Sequence, residues 1–297
     1  MSNSAAAPIA IPRRRPATRG LLLLILSAIA FSTAGLFARE APVALWAMVF
    51  WRNLFGSAAL ALLLLASQGG ASRRSVLLLG RWGWTTIAAS SFATICFLAA
   101  LARTSVADVS IIYATAPLIT ALIAWLWLRE KTTRTTLCAA VLALLGVAIT
   151  FAGSMGGGAL VGDGLALTMA LSLSFMTVVA RRHARLPVLL TACIACLMAA
   201  LAVLPLGWAA GASFVISWPE TAWLAGFGIL TMGVALPCYL AGAAAVPAGQ
   251  AMLISAMEMP LAPLWVWLAL AEIPSRASLL GGGVVAVAIL WQLARDT

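Results

Sequence analysis

QAMLISAMEMPLAPLWVWLALAE, residues 250–272, is the stretch that decides the fold. It is too long and too apolar for a soluble core helix, and it carries one carboxylate, Glu258, near its middle. An α-helix needs an apolar run of about 20 residues to cross about 30 Å of hydrocarbon. Residues 110–130, SIIYATAPLITALIAWLWLRE, read as its twin. Pro117 answers Pro260, Trp125 and Trp127 answer Trp265 and Trp267, and Glu130 answers Glu272, with one residue of slippage. Two such runs on one pattern point to a duplicated membrane unit.

Composition agrees. The chain of 297 residues is 64% hydrophobic and 9% charged, against about 45–50% and 25% in soluble domains. Its net charge of +10 would suggest a nucleic-acid partner in a soluble protein. Here the arginines lie between apolar spans, where membrane topology accounts for them, so no nucleic-acid binding is expected. All five cysteines fall inside apolar spans, so no disulfide framework follows, and Cys193-x-x-Cys196 reads as packing.

In chain order, residues 1–19 form a polar, Pro- and Arg-containing arm expected to be disordered. The apolar run after Arg19 resembles a signal peptide, but it has its own twin later in the chain, so it is read as a retained span. Nine further spans follow, near 42–66, 82–101, 107–128, 135–151, 160–180, 187–206, 222–242, 248–271 and 279–293. With the N-terminus inside, 14 Lys and Arg fall on the inner side, and only Arg39, Arg103 and Arg276 on the outer, with Arg52 mid-span. That asymmetry places both termini in the cytoplasm.

A shift of about 142 residues also lays 28–39 on 170–181, and 137–146 on 279–288. The halves, 20–152 and 153–297, then hold five helices each, an odd number, so the second enters from the opposite face. The fold expected is all-α and integral to the membrane: ten transmembrane helices as two inverted five-helix repeats around a central cavity.

The Pro…Glu helices carry a family resemblance. ATAP (114–117) with LRE (128–130), MEMP (257–260) with LAE (270–272), and the segments 99–107 and 241–248 before them resemble the EamA-type family of the drug/metabolite transporter superfamily. Within it, the chain is most similar to aromatic amino-acid exporters. The resemblance implies export of small metabolites across a bacterial inner membrane. It also implies a cavity lined by the first, third, fourth, sixth, eighth and ninth helices.

That guide ranks the polar residues. Ala251, Ser255, Glu258, Ala262 and Trp265 share one face of a helix. A membrane-centre acid costs about 2.5–3.5 kcal/mol to insert and seldom faces lipid. Glu258 would bind an amine or carry a proton; the plainer reading is a protonated acid bonded to a neighbouring helix. Tyr113 and Tyr239, the only tyrosines, lie within spans and would pack or stack on substrate. Ser32, Thr94, Ser174 and Ser255 offer hydroxyls, although such groups often bond within their own helix. Most tryptophans read as interfacial belts, with Trp265 excepted because it shares the face of Glu258. Pro117, Pro260 and Pro237 are candidate hinges. Arg52 must find a carbonyl or an acid.

Enzyme chemistry has little footing. No His, Cys and acid set has metal spacing, and no nucleotide loop or nucleophile elbow is present. No metal or cofactor is expected, and transport would run on gradients. Three readings compete: an amino-acid exporter, which is favoured, an exporter of apolar cations, and a membrane enzyme acting on lipid-linked substrates. The sequence leaves the oligomeric state open.

Overall fold

Long Leu-, Ala- and Val-rich runs leave the backbone few partners except itself, and helices are the result. The computed structural model describes residues 17–41, 43–68, 79–129, 134–153, 159–183, 187–246, 251 and 254–296, and no strand occurs among them. Glu130 and the arm up to residue 16 lie outside the described residues, as do Arg73, Arg74, Lys131 and Arg185.

The first half contributes α1 (Thr18–Glu40), α2 (Leu45–Gln68), α3 (Gly80–Leu101), α4 (Val106–Trp127) and α5 (Arg134–Gly153). The second contributes α6 (Ala159–Arg182), α7 (Val188–Ala209), α8 (Trp218–Ala243), α9 (Glu258–Leu270) and α10 (Arg276–Asp296). Among the described residues, seven of these helices are long and apolar enough to cross a bilayer, whereas α5, α9 and α10 hold shorter apolar stretches. Leucines such as Leu22, Leu62, Leu65 and Leu290 are more than 60% exposed on the outside of the bundle. A surface of that kind suits lipid and not water.

The main helix pairs repeat between the halves. α1 packs on α8 as α3 packs on α6; α2 packs on α8 as α7 packs on α3; α1 packs on α9 as α6 packs on α4. Three further pairs, α2–α7, α4–α9 and α5–α10, each join a helix to its own twin. The thinner contacts of α4 with α5 and α10 have no comparable counterpart on α9.

Twins run antiparallel. In α5–α10, Gly146 meets Gly281 and Val285, whereas Gly153 meets Ala277. In α2–α7, Ser57 Oγ donates to Cys193 O, while Trp46 abuts Gly207 further along. Twin tryptophans pin the bundle at opposite ends: Trp82 of α3 stacks on His183 at 5.0 Å, and Trp223 Nε1 of α8 donates to Phe37 O at 3.0 Å.

Arg52 is 3% exposed. It finds a carbonyl and, among the described residues, no acid: it donates to the side-chain carbonyl of Asn53 (Oδ1) and to Thr231 Oγ1, and lies 5.0 Å from the Phe227 ring centroid. The Thr231 hydroxyl and the Phe227 π face then fasten α2 to α8.

The α5–α10 seam depends on glycine. A Cβ on Gly281 would stand 2.5 Å from Gly146 O, and one on Gly146 would stand 2.7 Å from Gly281 O. Backbone cannot yield there, as in other close helix crossings between small residues. Gly281→Val should cost about 1–3 kcal/mol, read as a lower melting temperature in detergent. Gly283→Ala, where a Cβ meets nothing within 4 Å, should leave melting unchanged or raise it.

Candidate functional site

Three helices are interrupted, and the interruptions converge. α1 breaks at Thr33, α4 at Thr115, and the segment leading into α9 breaks at Ala256–Met257. Proline accounts for two of them. Pro117 and Pro260 cannot donate back to Tyr113 and Ala256, so the turns there tighten to i−3 bonds: Thr115 N donates to Ile112 O at 3.1 Å and Met257 N to Ile254 O at 3.1 Å. In α1 the Ser32 and Thr33 hydroxyls donate to Ile29 O and Ala30 O, each at 2.7 Å, competing with the ladder. The breaks in α4 and α9 fall at twin positions.

A cavity of about 30 Å³ lies where the three meet, room for one or two waters. Its walls are Phe31, Ala34 and Gly35 of α1, Phe97 and Leu101 of α3, Val106, Val109, Ser110 and Tyr113 of α4, and Glu258, Met259 and Ala262 of α9. No residue of α6 or α8 is among them. The narrowness of the space explains the difference from the six-helix lining that the resemblance implies.

Glu258 stands at the first position of α9, and no hydrogen bond or ion pair joins its carboxylate to another described residue. Among the described residues it is the one charged side chain on the cavity wall. Tyr113 of α4 lies on the same cavity wall, whereas Tyr239 of α8 is 37% exposed and is not among the wall residues.

The other candidates are placed elsewhere. Ser255 is half-buried ahead of the break and is not among the residues of the cavity wall. Trp265 Nε1 donates to Ser32 Oγ at 2.8 Å, joining α9 to α1. Ser174, the twin of Ser32, donates to Ala116 O at 2.9 Å and joins α6 to α4. The two serines are interhelical fasteners at equivalent places. Thr94 is half-buried on α3, off the cavity wall. Pro237 follows a π-helical segment of α8, Ile229–Ala235, instead of kinking an α-helix.

The polar network at the end of the cavity near Arg39 was not singled out from sequence. Arg39 pairs with Glu272 through Nε–Oε2 and Nη2–Oε1, both 3.1 Å, and Nη2 also donates to Thr104 O at 2.7 Å. Val106 N donates to Glu272 Oε1 at 3.4 Å. Beside it, Ser105 caps α4 against Asp108, Ser278 Oγ donates to Asp108 Oδ1, and Thr104 Oγ1 donates to Asp163 Oδ1. The Ser105-x-x-Asp108 spacing is a capping-box signature that could have flagged this corner.

Broken apolar helices around a small cavity with one acid define a multi-pass membrane protein of the transporter type. The sequence profile of the EamA-like transporter family matches residues 18–152 and again 160–293, and the chain belongs to that family. No curated protein matches it. One solved crystal structure, described only as that of a protein, superposes with a TM-score of 0.64 at 20% identity, covering 94% of this chain and 98% of the other. At that identity the likeness concerns the fold alone.

The Ser32–Trp265 bond has a measurable signature. Ser32→Ala strands a half-buried indole N–H and should cost about 1–3 kcal/mol, while in a Trp265→Phe background the same change should be nearly neutral. Thermal melting of the four proteins closes the cycle. A substrate-binding Ser32 predicts unchanged melting in both backgrounds.

Proposed function

We propose that the chain is a secondary transporter of the bacterial inner membrane. It exports neutral amino acids, aromatic ones among them, and related small metabolites by alternating access. In this reading the halves 20–152 and 153–297 are inverted repeats, the chain crosses ten times, and both termini are cytoplasmic. Antiparallel twin pairs support the inversion, because an axis in the membrane plane reverses each helix relative to its copy. The Lys and Arg count supports the orientation.

One observation carries the functional assignment. Glu258 presents an unpaired carboxylate to a cavity where three broken helices meet, which is where secondary transporters place their substrate. A carboxylate beside Tyr113 and Phe97 suits a ligand with an ammonium group and an apolar or aromatic body. The space of about 30 Å³ is smaller than any amino acid, so substrate enters only after the walls part.

A second reading, export of apolar cations, is favoured by the absence of Lys or Arg from the described residues of the cavity wall. A zwitterion's carboxylate would find no cation there. Growth tests separate the two. Cells overproducing the protein should tolerate toxic amino-acid analogues and gain no resistance to cationic dyes; the reverse result selects the second reading.

Uptake by sealed vesicles of purified protein, offered a panel of amino acids with and without a pH gradient, tests the transport itself. Glu258→Gln should weaken transport about tenfold or more at normal expression, the value of one lost charge-assisted bond. Unchanged transport would remove Glu258 from the site.

A further inference from the structure

The ion pair at the Arg39 end of the cavity sits where helices that line the cavity come together. Arg39 closes α1, Glu272 follows α9, and Thr104 and Val106 belong to the turn that opens α4. Directly below, α1 and α4 touch: a Cβ on Gly35 would stand 2.5 Å from Val106 Cγ1. Val106, Pro263, Val266, Glu272 and Pro274 ring a crevice with no room for water. This end of the cavity is sealed, and the ion pair is its outermost layer.

The backbone aims the acid. Ala271 has φ 54°, in the left-handed region, and it turns the chain so that Glu272 folds back toward Arg39. Only one other non-glycine residue among those described has a positive φ, Arg129 at 53°. Arg129 is the repeat twin of Ala271 and precedes Glu130. A conformation disfavoured for residues bearing a Cβ therefore occurs twice, each time just before a twin glutamate.

The α4 side is held by buried polar bonds, whereas the ion pair itself is partly exposed. The turn before α4 is tied to α10 through Ser278–Asp108 and to α6 through Thr104–Asp163. By contrast, the Arg39 and Glu272 side chains are 27% and 28% exposed. Water can replace each partner of a pair so placed, which makes the contact easy to break and re-form.

We propose that the Arg39–Glu272 pair is a latch: it holds the ends of α1 and α9 against the α4 turn and must part for the cavity to open on this side. The inference rests on the alternating-access reading, but its first test needs no substrate. In the full-length protein carrying Ala34→Cys, a membrane-impermeant maleimide is applied to right-side-out and to inside-out vesicles. Labelling at position 34 is followed by site-resolved mass spectrometry.

Glu272→Gln and Arg39→Gln should each speed labelling from one side only, by about twofold to fivefold, the population shift a half-exposed pair can supply. The exchange Arg39→Glu with Glu272→Arg should return the rate toward that of the parent. Rates unchanged in both single variants, at unchanged melting temperature, would overturn the latch. As a second arm, cysteines at positions 39 and 272 are joined by a short bifunctional thiol reagent. Transport should stop, and should return on reduction; transport that continues through a complete crosslink also overturns it. Should labelling respond while no amino acid is transported, the latch stands and the substrate assignment falls.

Discussion

Hydrocarbon gives a peptide group nothing to bond with, and this constraint organises the molecule. A helix can be interrupted in such a setting only where other helices cover the break. The interruptions at Thr33, Thr115 and Ala256–Met257 therefore gather at one place, under the shelter of α3 and of each other. The cavity follows from that gathering: broken turns pack less well than continuous ones, and an acid placed at the first turn of α9 has somewhere to point. Chemistry and weak packing coincide because they have the same cause.

The duplicated chain makes the arrangement reproducible. Each half alone offers helices with one unsatisfied face, and each face is met by the equivalent face of the other half. α2 lies on α7, α4 on α9 and α5 on α10. Ser32 and Ser174 occupy the same place in their halves but fasten differently, one accepting from an indole and the other donating to a carbonyl. The scaffold is nearly symmetric, whereas its polar furniture is not. Glu258 has no acidic twin, so the site belongs to one half more than the other.

Much of the scaffold was legible because bilayer thickness writes itself into apolar run length. The expected span at 160–180 is the helix Ala159–Arg182, and the one at 187–206 is Val188–Ala209. Tyr113 and Glu258, singled out separately from the sequence, both lie on the cavity wall. Partnerships between distant residues left no local trace: Arg52 with Thr231, Trp265 with Ser32 and Arg39 with Glu272 each join segments more than a hundred residues apart.

The left-handed elbow at Ala271 has a mechanical consequence. A glycine there would act as a swivel, and tilting of α9 would be absorbed before it reached the carboxylate. Alanine in the same conformation has few alternatives within reach, so the joint is stiff. Any rocking of α9 is carried through the bend to the glutamate tip, which moves like the end of a crank. Leverage of that sort lets a small change in packing deep in the bundle be felt at its rim.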